Sequence, residues 1–183
     1  MRVVCRLLLA AGSMVAAIHG TAGAAASGCP QQELEAHVRQ QFAIYGPQSR
    51  RHEYFGFVYL HDGVIGSAVT RSRACSDDGR CLVDSSNALR AVHPLAEVLG
   101  EWHTHPHEGS SRLSMYDVRG AYSNRHIGCY SAFYSTPSGE IYTWNVTRMS
   151  VPVAMASRRK IGRYRGAAEG LPALASAAVQ HGH

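Results

Sequence analysis

The stretch Glu101–Asp117, EWHTHPHEGSSRLSMYD, holds residues whose types and spacing suit metal chemistry. His103 and His105 are two apart, and in an extended strand residues i and i+2 face the same way. Both imidazoles then project into one space. Asp117, returned from the start of the next element, supplies an anionic third ligand. Two histidines and a carboxylate, with one position left for water, form a catalytic zinc shell. Zinc lowers the pKa of such a water from near 16 towards about 7, so hydroxide is available at neutral pH. Glu101 falls on the same strand face as His103. It could partner an imidazole N–H or act as a rival base. His107 is a competing ligand.

The elements that must position these groups follow from pattern. Residues 97–104 read as a buried strand, and Pro106 ends it because proline donates nothing to a ladder. Residues 107–113 are a loop, and 114–123 read as a helix. Ser114-x-x-Asp117 is also close to a capping box, with an acid where the helix dipole favours one. Capping and ligation are compatible roles.

Upstream, Leu34, Val38, Phe42 and Tyr45 form one apolar stripe and predict a helix over 31–45, ended by Gly46-Pro47. Residues 53–60 are rich in aromatic and branched side chains and predict a strand. Asp62-Gly63 signals a hairpin, with a return strand over 64–70. A second small hairpin is expected within 75–84 about Asp78-Gly79, and a short helix over 87–92. Residues 130–135 and 141–146 predict a further hairpin about Pro137-Ser138-Gly139. Periodicity fades beyond Val153. The expectation is an α+β domain, a mixed β-sheet flanked by helices.

The ordered set resembles the JAMM (MPN-plus) metalloproteases. Their signature is a Glu on an early strand, then His-Ser/Thr-His-Pro, a loop, and Ser-x-x-Asp. It stands here as Glu53, followed three residues later by Gly56, then His103-Thr104-His105-Pro106 and Ser114-Met115-Tyr116-Asp117. The resemblance covers residues 53–146 and looks closest to bacterial JAMM-like domains of unassigned function, some found beside secreted toxins. It implies His103, His105 and Asp117 as ligands of one Zn2+ per chain. It implies Glu53 as general base and Ser114 as a hydrogen-bond donor to the oxyanion. One departure is the loop from Pro106 to Leu113, one residue longer than usual in the family. Loop closure tolerates this cheaply, and the extra residue is expected to bulge within Glu108-Gly109-Ser110-Ser111.

The N-terminus reads as a secretory signal over residues 1–26. Arg2 and Arg6 precede an apolar run broken by Gly12, Ser13 and His19, and Ala22-Gly23-Ala24 or Ala24-Ala25-Ala26 suits cleavage. A retained anchor and a lipoprotein site at Cys29 are the weaker alternatives. The division expected is 1–26 signal, 27–153 JAMM-like domain, and 154–183 a basic, Ala/Gly-rich tail. Losing Arg2 and Arg6 takes the formal charge from +5 to +3, a mild excess that implies no nucleic-acid partner. Arg158, Arg159, Lys160, Arg163 and Arg165 carry much of it and read as a solvated tail. Cys29, Cys75, Cys81 and Cys129 remain after cleavage, an even number in an exported chain. The Cys75–Cys81 pair flanks a turn, which leaves Cys29 for Cys129, although four cysteines allow three connectivities.

The function expected is a periplasmic or secreted zinc metallopeptidase or isopeptidase, acting on a peptide or protein substrate and free of the membrane after cleavage. The alternative is a non-catalytic JAMM-like module that binds a secreted toxin or effector and keeps the metal. A third reading is metal scavenging through His103, His105, His107, His181 and His183. His52, His61, His93 and His126 read as ordinary histidines. Trp102 and Trp144 read as core or groove walls. Cys129 is a poor nucleophile in an oxidising compartment.

Overall fold

The computed structural model describes residues 28–76, 80–106 and 110–165. The proposed signal segment, His107, Asp78-Gly79, His181 and His183 lie outside these. The chain forms α1 (Gln31–Tyr45) with a 3-10 turn at Gly46–Gln48, β1 (Tyr54–His61), β2 (Val64–Arg71), α2 (Ser85–Ala91) and β3 (Glu97–Thr104). It continues through α3 (Met115–Ser123), β4 (Ser131–Ser135), β5 (Glu140–Trp144), α4 (Val151–Ser157) and β6 (Arg159–Arg163). All six strands form one mixed sheet, ordered β2-β1-β3-β4-β5-β6. Among the described residues only β3 and β4 pair in parallel, and α3 lies in the crossover that parallel pairing requires. The architecture is α+β, as the pattern predicts.

Each sheet face has its own core. On one face α1 lays down Leu34, Val38 and Phe42 against Tyr54, Val58, Leu99, Trp102 and Phe133. Full burial of such side chains is worth ~1.5–3 kcal/mol each. Gly56 is required here, because a Cβ would stand 2.6 Å from Trp102 Nε1. On the other face α3 and α4 pack Leu113, Val118, Ala121 and Ala154 over Ala132, Tyr134 and Trp144. The histidines belong to this second face. Asp62 and Gly63 adopt positive φ, the conformation a two-residue hairpin needs.

Two disulfides hold the outer segments. Cys29–Cys129 ties the start of α1 to the α3–β4 connection across a separation of 100 residues, and Cys75–Cys81 closes a loop of separation 6. Both match the expected pairing. They are bonds of the kind oxidising surroundings favour. None of the described helices is long and apolar enough to cross a membrane.

The turn of the small hairpin expected about Asp78-Gly79 lies outside the described residues; on either side of it the Ser76 amide donates to the Arg80 carbonyl at 2.9 Å, and no strand is formed by the described residues there. Two expectations need correcting. The next helix starts at Ser85 because Asp84 caps it through the Ser86 amide. The fold also runs past the boundary expected at residue 153, since α4 and β6 both belong to it. β6 escapes a pattern search because it is an edge strand dressed in charge, which is how edges resist unwanted pairing. α4 does carry a start signal, Pro152 in its first turn.

Candidate metal centre

Strand register sets the site. Phe57 pairs with Glu101 and Phe55 with His103 across β1 and β3. His105 continues the ladder beyond β3, its amide donating to the Ser135 carbonyl at 3.0 Å. Alternation therefore places Glu101, His103 and His105 on the α3 side of the sheet, and Glu53, two before Phe55, on that side as well. Glu53 lies just before β1. Its amide donates to Ser72 Oγ at 2.8 Å and its carbonyl accepts from the Ser72 amide at 2.8 Å, so the segment is held from both ends.

His103 Nε2 and His105 Nε2 lie 3.2 Å apart. Asp117 Oδ1 stands 3.8 Å from the first and Oδ2 3.8 Å from the second. One donor atom from each of the three residues fits within 4.8 Å. His105 Nδ1 lies 2.7 Å from the Ser110 carbonyl, which can only accept, so Nδ1 carries the proton and Nε2 keeps its lone pair. Zinc bonds of about 2.0–2.2 Å at tetrahedral angles separate ligand atoms by roughly 3.3–3.5 Å. The donor set and its spacing fit a divalent cation with small side-chain movement.

Asp117 combines capping with this geometry. Its Oδ2 accepts from the Ser114 amide at 2.5 Å, and its own amide donates to Ser114 Oγ at 3.2 Å, a complete capping box. The helix start thus fixes the carboxylate that faces both imidazoles. The longer loop does not displace Asp117. Of the expected bulge, Glu108 and Gly109 lie outside the described residues, while Ser110 supplies the carbonyl that orients His105.

The electrostatics follow from burial and from Asp117. Burial draws the His103 imidazole down to about 4, with His105 adding to that and Asp117 opposing it, so the ring is neutral at pH 7. Burial alone would raise the Asp117 carboxyl, but His103, His105 and the Ser114 amide outweigh it and hold the acid well below its usual range. Burial and the Asp117 charge together push Glu53 well above an ordinary glutamate.

Glu101 faces the site side and is buried, as strand parity predicts. It does not hold an imidazole. Tyr130 Oη donates to Glu101 Oε2 at 2.5 Å, and Asn124 Nδ2 donates to Tyr130 Oη at 2.9 Å. Burial raises the Glu101 carboxyl to about 7, the Tyr130 bond opposing and the Asp117 charge adding. Ser72, Ser110, Tyr130 and Tyr134 were not picked out by motif. Tyr134 is the parallel-strand partner of His103, its ring centroid 6.1 Å from that of His103 and 5.2 Å from that of His105. No local signal marks it, since a parallel pairing is invisible in sequence order. Trp102 is core on the α1 face. Trp144 is a wall beside His103, their rings 6.1 Å apart at 76°. Cys129 is committed to a disulfide.

No family model matches the chain, and no curated protein matches it.

Proposed function

We propose that the chain is an exported, zinc-dependent peptidase or isopeptidase of the JAMM type, working in the periplasm or outside the cell. The observation that carries this reading is the convergence of His103, His105 and Asp117; Glu53, whose carboxyl is raised by burial and by the Asp117 charge, supports it. A pure binding site for a metal has no need of that fourth group.

Zinc, when bound, supplies a Lewis acid for the scissile carbonyl and an acidified water as nucleophile. His103 and His105 present neutral nitrogens, and Asp117 contributes the single permanent negative charge of the ligand set. Glu53, enclosed and readily protonated, is suited to take a proton from the attacking water and return it to the leaving amine. The Ser114 oxygen accepts from the Asp117 amide, which leaves its O–H to donate to a developing oxyanion. No covalent intermediate is needed. Peptides often add as an extended strand to a sheet edge, and that mode suits this fold.

The test pairs metal analysis of the purified protein with a peptide-library cleavage screen, with and without chelator. One tight zinc per chain and chelator-sensitive cleavage support the proposal. Tight zinc without any turnover supports a binding module instead, and several loose metals per chain support scavenging.

A further inference from the structure

The basic run that reads as a solvated tail is sorted by the sheet. Arg159 Nη2 meets Glu35 Oε1 at 2.5 Å, and Lys160 Nζ meets Glu140 Oε1 at 2.6 Å. Arg163 Nε donates to the Ser138 carbonyl at 3.3 Å. Arg158, the residue before β6, differs. Among the described residues no carboxylate pairs with it. Glu140, whose charge acts on it, is already held by Lys160 and by the Tyr142 hydroxyl.

Instead, Arg158 turns to the histidine face. Its Nη1 donates to Tyr134 Oη at 3.2 Å, and its guanidinium carbon lies 4.7 Å above the centre of the Tyr142 ring. Tyr134 and Tyr142 are cross-strand partners with rings stacked at 5.6 Å. Tyr134 in turn packs its ring beside both site imidazoles. One tyrosine ring therefore separates an exposed cation from the metal ligands. A guanidinium has five N–H donors in a fixed fork, and among the described residues Arg158 gives one hydrogen bond, to Tyr134. Stacked on one tyrosine and bonded to the next, the group is already oriented, so less entropy is lost when it takes a planar anion.

We propose that Arg158 is a specificity-determining residue, a carboxylate receptor at the rim of the metal centre. The substrate is then a peptide bearing a carboxylate close to the scissile bond. Extended peptide advances ~3.3 Å per residue, so a carboxylate two or three residues away spans one tyrosine ring. This inference rests on the peptidase reading for its substrate class, but it is tested by binding.

The experiment uses the zinc-loaded Glu53→Gln protein, so that peptides bind without being cut. Two sets of pooled fluorescent octapeptides are titrated. One set exchanges Glu for Gln at each position in turn, and the other exchanges a C-terminal acid for its amide. The expected result is tighter binding of the carboxylate-bearing pool, on the order of tenfold, as for one charge-assisted bidentate contact. The set that discriminates tells side-chain carboxylate from chain terminus. Adding Arg158→Gln should abolish the preference, Arg158→Lys should keep part of it, and Arg158→Glu should reverse it. A merely structural arginine would not invert a charge preference. Equal binding of the paired pools by the Glu53→Gln protein, or binding of neither, overturns the proposal whatever the arginine variants do. Cleavage of the same pools by the unmodified protein is scored separately. Turnover without carboxylate preference leaves the peptidase and removes the receptor. Carboxylate-selective binding with no turnover leaves the receptor and removes the peptidase.

Discussion

His103 Nε2 faces His105 Nε2 at 3.2 Å, with both residues buried. The Nδ1 proton of His105 is committed to Ser110, so its Nε2 offers a lone pair. Asp117 closes the third side with one oxygen towards each ring. A divalent cation would satisfy all three donors at once, and an ion held this way would bind the folded chain far better than the unfolded one.

Metal removal should therefore destabilise the protein. With free zinc a thousandfold above its Kd the linkage is worth about 4 kcal/mol, which chelation should remove. His103→Ala and Asp117→Ala should lose the metal. Asp117→Asn, which keeps a capping side chain but not its charge, should weaken zinc binding with little change in helix content. Zinc stoichiometry, thermal melts and circular dichroism check these outcomes together.

Glu53, raised by burial and by the Asp117 charge, is not one of the three donors. Glu53→Gln should retain one zinc per chain while kcat falls by about 10²–10⁴, the usual contribution of a positioned acid–base group. Steady-state kinetics on any cleaved library peptide, alongside metal analysis, decide it. Equal turnover by this variant would remove Glu53 from the mechanism.

Glu101 yields a pH prediction. Its folded pKa is raised to about 7 by burial, against an ordinary glutamate near 4.3 when unfolded. The folded state thus holds the extra proton, so this group costs stability as pH rises from about 4.3 through 7. Glu101→Gln should leave the metal-free protein little changed at pH 4.5 and stabilise it at pH 8 by about 1–3 kcal/mol. Urea unfolding at the two pH values reads the difference. An equal effect at both would mean that the carboxyl is not protonated in the fold.

The two disulfides should differ in weight. In the chain-entropy account a bridge spanning 100 residues restricts the unfolded state more than one spanning 6. Replacing Cys29 and Cys129 by Ser should cost about 2–3 kcal/mol more than replacing Cys75 and Cys81. Denaturant midpoints of the two double variants test the order.

Much of the site is legible in the chain because its rules are local. Alternation along one strand puts Glu101, His103 and His105 on one face, and a three-residue capping interval ties Ser114 to Asp117. The apolar stripe of α1, the Asp62-Gly63 hairpin and the disulfide pairing are readable for similar reasons. The basic segment reads as a tail because the charges of an edge strand such as β6 look like those of a solvated segment.

By itself the sequence determined which residues share a strand face, where the helix carrying Asp117 begins, and which side chains have the chemistry to ligate a metal. Those are consequences of backbone geometry within a few residues. Only the tertiary structure decided that Tyr134 lies under both imidazoles, that Glu101 is held by Tyr130, and that Arg158 turns towards the histidines. Each of these depends on which distant strands become neighbours and in what register, and that is set by the packing of two cores on opposite faces of the sheet.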